Sequence, residues 1–413
     1  MRFTRTSKAL GMVAIAALAL TGCGAGGGSN EGASDAAGDP AKIITAYSNE
    51  PQNPLLPANT NEVYGGRVVE LLFEGLTSYS PSGESVNALA ESIESPDGQN
   101  YTIKVKSGTK FTNGEEVTAK SFVDAWNFAA LSTNAQANSS FFESIEGYDA
   151  VSATKKEGET EVPAPTAETL SGLVLKDDST IEVKLTQPEA DWPLRLGYTA
   201  FMPLPSEAIA DPKAFGENPV GNGPYKMAKE GAWQHDSQIE LVKNEDYTGT
   251  REAKNGGVTF KFYTDPAPAY TDIQANNLKN NLGIQVEGQP FAKFAELLDL
   301  RKSQTLPGFA RAGWQADYPS LYNFLGPLLR TGSSANYEGY SNPEFDKLLD
   351  EGLGSKSTDD ANAKFTEAQE ILFQDLPNLP LWYSARQVVW SQNVTNVDSG
   401  WNGVIQYYNI TAK

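Results

Sequence analysis

Two chemically versatile residue types are almost missing. The 413 residues contain one cysteine, Cys23, and one histidine, His235. A lone cysteine cannot form an intrachain disulfide, so packing must hold the fold. Cysteine nucleophiles, His-based triads and imidazole-rich metal sites are starved of parts. The chain has no Gly-x-Ser-x-Gly, P-loop or metal-spacing motif, so no catalytic group, metal or cofactor is expected. A serine with a lysine base, or a carboxylate pair, stays open on composition alone. Basic residues are also scarce: 32 face 52 acidic ones, a net charge of −20. Such a surface argues against nucleic acid and anionic lipid as partners. His235, in Trp233-Gln-His-Asp236, reads as a surface turn residue.

The N-terminus is an export signal. Arg2, Arg5 and Lys8 precede an apolar run from Gly11 to Leu20 that is too short to span a bilayer as a stable helix. Leu20-Thr-Gly-Cys23 follows and resembles the lipobox of bacterial lipoproteins, in which the cysteine receives the lipid. Residues 1–22 therefore read as a signal peptide. Cys23 reads as the lipidation site, and residues 23–40, rich in Gly, Ser, Ala and Asp, as a flexible tether. The expected location is outside the cell, lipid-anchored to the outer face of the bacterial membrane. Loss of Arg2, Arg5 and Lys8 leaves 29 basic residues against 52 acidic ones, a net charge of −23.

The remaining body of about 370 residues is long enough for two or three domains. Strands alternate with helices. Tyr101–Lys106, Ile181–Leu185 and Val258–Phe262 alternate apolar and polar residues as half-buried strands do. Thr118 is placed to cap a helix whose stripe is Phe122, Ala125, Trp126 and Ala129. Asn342-Pro343 opens another, carrying Phe345, Leu348 and Leu349. Phe365, Ala368 and Leu372 mark a third, which ends before Pro377. The class is α/β, mixed α+β, with several small sheets. Seven Trp and seventeen Tyr suit adaptable binding surfaces as well as cores.

The order of several segments carries a family resemblance. They are Glu50-Pro-Gln-Asn-Pro-Leu-Leu-Pro57, Glu70-Leu-Leu-Phe-Glu-Gly-Leu76, Ala88-Leu-Ala-Glu-Ser92, Tyr101 to Phe111 and Asn113 to Ala119. Asn218-Pro-Val-Gly-Asn-Gly-Pro-Tyr225, Leu241 to Asn244, Ala310 to Pro319 and Leu379-Pro-Leu-Trp-Tyr383 complete the set. Together these resemble the bacterial extracellular solute-binding proteins of family 5, the oligopeptide- and dipeptide-binding lipoproteins of ABC importers. The resemblance implies a two-lobed, periplasmic-binding-protein-like fold that closes on ligand. It implies a base domain from residues 41–75, 172–264 and 391–413, an inserted domain at 76–171, and a second lobe at 265–390. The second lobe is expected to be shortened. Residues 270–275 resemble the helix that opens it, 277–286 resemble a later helix and strand, and family members carry a domain-sized run between the two. The gap falls near residues 275–276.

For the site, the resemblance implies Asp317 as the carboxylate that pairs with a peptide's ammonium and Arg311 as a partner for its carboxylate. Trp314 would line a side-chain pocket and Gly313 would let the peptide backbone approach. The other lobe would contribute from Asn59 to Tyr64 and from Asn138 to Phe142, with Phe141 or Phe142 covering the ligand, although an apolar pair is more often core. Expected partners are a peptide ligand, the ABC permease and the membrane, the last through the lipid, and the chain is expected to be a monomer. An oligosaccharide ligand, a peptide-presenting signalling role and a lipoprotein hydrolase are the competing readings.

Overall fold

The computed structural model describes residues 39–80, 82–153, 164–189, 191–262, 279, 283–285, 289, 291, 294–310, 312–380 and 388–413. The signal, Cys23 and most of the tether lie outside them. So do Arg311, Trp382, Tyr383 and the 275–276 junction.

Strand β1 (Ile43–Ser48) leads through a long loop into helix α1 (Val63–Leu72). The β2 (Thr77–Tyr79) and β3 (Ser85–Asn87) hairpin follows, then β4 (Ala90–Glu94), β5 (Asn100–Val105) and helix α2 (Ala119–Ala130). Strands β6 (Leu173–Asp177) and β7 (Thr180–Lys184) come next, before β8 (Tyr225–Met227), β9 (Trp233–Gln234), β10 (Gln238–Lys243) and β11 (Gly257–Phe262). Two sheets organise these strands. One runs β1-β11-β10-β8 with β9 beside β10, and only its β1–β11 pair is parallel. The other runs β4-β5-β7-β6, with every neighbour antiparallel.

The second sheet crosses one expected boundary. A boundary at residue 171 separates β6 and β7 from β5, yet Ile103 pairs with Ile181 and Tyr101 with Val183. Buried Ile103, Ile181 and Val183 share one core.

Helix α2 is the centre of that core. Thr118 and Ser121 form the reciprocal capping box that satisfies its first amides. The stripe read from the sequence is fully inward, and Trp126 donates its indole N–H to the Phe201 carbonyl at 2.9 Å. Phe142 and Phe201 pack against the same indole at 6.3 and 5.5 Å. A side chain of this size contributes roughly 1.5–3 kcal/mol through burial.

The turn at residues 218–225 has a steric explanation. A Cβ on Gly221 would lie 1.8 Å from the Leu72 carbonyl, and one on Gly223 would lie 2.6 Å from the Leu72 carbonyl carbon. The turn is pressed against the end of α1, where the Gly223 amide caps that carbonyl at 2.8 Å. Between the glycines, Asn222 exchanges two 3.1 Å hydrogen bonds with the backbone of Glu74. Glu74 is itself buried, accepts from Tyr247 at 2.6 Å and faces Arg251 at 3.8 Å.

The second lobe is helical in its described residues: α3 (Phe294–Lys302), α4 (Tyr322–Leu329), α5 (Pro343–Leu353) and α6 (Thr358–Asp375). Asn342 caps α5 and Phe345 and Phe365 close its core, as the pattern predicts. The C-terminal segment returns to the base domain, where buried Asn255 donates to the carbonyls of Tyr407 and Ile410 at 2.9 and 2.8 Å.

Candidate functional site

The lobes meet at a buried ionic cluster. Arg195, 2% exposed, lies 2.9 Å from Glu189 and 3.4 Å from Asp191. Its guanidinium sits under the Tyr322 ring of the second lobe at 4.8 Å. Ser320 donates to Asp191 at 2.5 Å, and the Tyr322 hydroxyl donates to Glu143 at 2.8 Å. Burial pushes the Glu189 carboxyl up to about 7 even though Arg195 pulls the other way.

Beside this cluster opens a cleft of about 4420 Å³, walled by both lobes. A typical small-molecule pocket has about 300–1,000 Å³, so a ligand of that size would fill only part of it. From the first lobe the walls include the loop before α1, one face of α1, Tyr79 and Tyr198; from the second lobe they include residues 312–317.

Asp317 stands where the two walls converge, half-buried in the loop that leads to α4. Asn323, fully buried in the first turn of α4, holds it at two points. The Asn323 side-chain oxygen accepts from the Asp317 amide at 3.0 Å, and its NH2 donates to the Asp317 carboxylate at 3.0 Å. The same oxygen accepts the Trp314 indole N–H at 3.0 Å, which fixes both residues in one frame. From the opposite lobe the Tyr198 hydroxyl acts electrostatically on the carboxylate. Asn138 donates to that hydroxyl at 3.1 Å, so the phenol proton is free to point at Asp317. Burial in the wall pushes the Asp317 carboxyl up to about 7, while the bond from Asn323 and the Tyr198 hydroxyl pull it down. The result is an acceptor with lone pairs still open to the cleft, close to the tipping point between its charged and neutral forms.

The other expected residues divide. Trp314 and Gly313 line the cleft, and Gly313 has nothing within 4 Å of where a Cβ would stand. Asn59 does not reach the cleft; its side-chain oxygen accepts the Ala137 amide at 3.3 Å and ties two loops together. Phe142 is a correction as well: it is fully buried against Trp126 and Phe201. Phe141 sits behind the wall, packed on Tyr198 at 4.7 Å and Tyr318 at 6.4 Å, so it supports cleft residues without lining the cleft. Both are too apolar and too well packed to turn outward.

Sequence reasoning reached only part of a row of polar residues on the base-domain wall: Thr60 and Asn61 lie in the expected Asn59 to Tyr64 stretch, Gln52 and Arg67 outside it. Gln52 Oε1, Thr60 Oγ1, Asn61 Oδ1 and Arg67 Nε are shielded from solvent yet have no partner among the described residues. All four residues line the cleft. Unpaired buried polar atoms cost about 1–3 kcal/mol each, and such a row in a cleft is where a polar ligand repays that cost. The Asn61 amide also donates to Tyr337 of the second lobe at 3.1 Å. The sequence signal for Thr60 and Asn61 is the run of polar residues between Pro57 and Val63; Gln52 and Arg67 lie outside it.

A two-lobed mixed α/β body with a polar cleft between its lobes defines a solute-binding fold. Solved structures share it. Burkholderia pseudomallei OppA matches with a TM-score of 0.76 at 20% identity, covering 91% of this chain and 99% of that one. Haemophilus influenzae OppA in complex with RPPGFSPFR matches with a TM-score of 0.73 at 19% identity, covering 90% and 99%. In sequence, the oligopeptide-binding protein OppA of Bacillus subtilis is 32% identical over 246 residues, which is 57% of this chain and 42% of OppA. The dipeptide-binding protein DppE of the same organism is 30% identical over 278 residues, 65% of this chain and 48% of DppE. The middle-region model of the bacterial extracellular solute-binding proteins, family 5, matches residues 84–280. Over residues 84–280 the chain is similar to that family, as it is to these relatives. It spans about half the length of the curated relatives it matches.

Proposed function

We propose that this chain is the substrate-binding component of an ABC-type peptide importer. It captures oligopeptides between its lobes and delivers them to a membrane permease, and it performs no chemistry on them. One observation carries the reading: the Asp317 carboxyl, held by Asn323, faces the cleft with acceptor capacity to spare. A peptide's N-terminal ammonium supplies the donors and charge such a group needs, and a charge-assisted bond of this kind is about twice as strong as a neutral one. The orphaned acceptors on Gln52, Thr60 and Asn61 suit peptide N–H groups, which every sequence presents alike. Trp314 offers an apolar surface to a side chain. Capture on both lobes favours the closed arrangement, which the permease would read.

The names of the two Bacillus subtilis relatives, an oligopeptide-binding and a dipeptide-binding protein, support this reading. The Leu-Thr-Gly-Cys23 sequence supports export and attachment to the outer face of the membrane through lipid. Phe309, Phe373, Leu379 and Val389 are well exposed along the second-lobe side of the cleft, which supports a lobe shorter than those of its relatives.

Calorimetric titration of the soluble body with di- to pentapeptides tests the proposal, with N-acetylated peptides and an oligosaccharide as separate arms. Saturable peptide binding that N-acetylation weakens by at least about 2 kcal/mol is expected. Binding of sugar alone, or of no ligand by a cooperatively folded sample, would sink it.

A further inference from the structure

The base-domain wall also carries a cation with no counter-ion among the described residues. Arg67, on the face of α1 that lines the cleft, rests its guanidinium 5.5 Å from the Tyr64 ring centroid. Its Nε is shielded from solvent and has no hydrogen-bond partner among the described residues. The other two arginines described in the cleft walls are engaged. Arg251 is buried against the Glu70 and Phe73 carbonyls at 2.5 and 2.6 Å, and Arg301 pairs with Glu338 at 2.5 Å. No lysine lines the cleft among the described residues. Nearby acids do not claim Arg67 either. Glu62 spends its carboxylate capping α1, accepting from the amides of Tyr64 and Gly65 at 2.7 and 2.8 Å. Glu70, one turn further along α1, influences Arg67 electrostatically but forms no ion pair with it.

We infer that Arg67 is the seat for a carboxylate of the bound peptide. A planar guanidinium pre-set against an aromatic ring offers two parallel N–H donors, the geometry that carboxylates match best. The inference rests on the peptide-capture reading and deepens it: Asp317 takes the positive end of the ligand on one lobe, and Arg67 takes a negative group on the other. That group is either the C-terminal carboxylate or an acidic side chain, and both present the same two oxygens. The cleft therefore selects ligands that carry both charges, and each lobe holds one of them.

Titrations of the intact soluble body separate the possibilities. The ligands are trialanine, trialanine amide, N-acetyl-trialanine and Ala-Glu-Ala amide; the proteins are the wild type, Arg67→Gln and Arg67→Lys. Amidation should weaken wild-type binding at least tenfold. Arg67→Gln should bind trialanine and its amide equally well while still discriminating against the N-acetyl form. Arg67→Lys, which keeps the charge and loses the fork, should retain part of the difference. Recovery of affinity by Ala-Glu-Ala amide, in the wild type alone, would place the carboxylate on a side chain and still support Arg67. If neither carboxylate changes wild-type affinity, or if amidation costs the same in Arg67→Gln, the inference is overturned while sensitivity to N-acetylation keeps the capture reading alive. If no protein binds any of the peptides, both fall together.

Discussion

Asn323 grips Asp317 from both sides, taking its backbone N–H at 3.0 Å and giving its own NH2 to the carboxylate at 3.0 Å. A half-buried acid in a loop becomes a fixed one through this pair, because α4 supplies the anchor that the loop lacks. The partner residue lies six positions downstream in a helix whose apolar neighbours disguise it.

Replacing Asn323 with alanine should therefore damage binding without touching ligand. Three hydrogen bonds are lost, including the one that holds the Trp314 indole, so a stability cost of about 1–3 kcal/mol is expected. Affinity for free peptides should fall about tenfold or more. Trp314 emission and peptide titration, measured on the same sample, check both effects.

Capture should depend on pH. The Asp317 carboxyl stands near 7 without ligand and must be charged to hold an ammonium. The ammonium favours the charged form, so binding releases a proton wherever the free protein is protonated. Affinity should therefore rise as pH climbs from about 5 to 7, by up to tenfold per unit, and level off above about 7. Asp317→Asn and N-acetylated peptides should both give flat profiles. A slope that survives in Asp317→Asn would refute the assignment.

The Arg195 cluster predicts an asymmetric response. Arg195→Met strands Glu189 and Asp191 as buried acids and should cost about 3–5 kcal/mol in denaturant unfolding. Adding Glu189→Gln and Asp191→Asn should recover much of the loss, since no uncompensated charge then remains. If the triple variant is no better than the single one, the damage comes from packing against Tyr322 instead.

His235 should make a small pH-dependent contribution to stability. Its ring stands 2.7 Å from Glu50 and 2.9 Å from Glu217, so only the doubly protonated form can donate to both. The bonds to Glu50 and Glu217 raise its pKa, so the stabilisation is whole below about 6.5 and fades as pH rises through the folded value. The side chain is 55% exposed, so the effect belongs with surface pairs, about 0–1 kcal/mol. Melting temperatures of the wild type and His235→Gln at pH 6 and pH 9 should converge at the higher pH.

Periodicity and end signals were sufficient for the local elements. Thr118 begins its helix, Asn342 begins another, and the alternating strands form where the pattern puts them. The partnership between strands was not legible, because β5 meets β7 across about seventy intervening residues and alternation carries no address. Asp317 and Trp314 could be picked out as candidates because they belong to one contiguous motif, and Thr60 and Asn61 because they fall in the Asn59 to Tyr64 stretch. Gln52 and Arg67 could not, since what marks them is the partners they lack among the described residues. Asn59 and Phe142 were misread for the opposite reason: each has found its partner inside the fold.

The contact between Gly221, Gly223 and the end of α1 has a mechanical consequence. With two glycines jammed against Leu72 and Asn222 bonded to Glu74, the wall that bears Tyr64 and Arg67 is welded to the β8 end of the large sheet. On the proposed reading that wall serves as an anvil, and the grip on a ligand would come from the Asp317 side as the hammer.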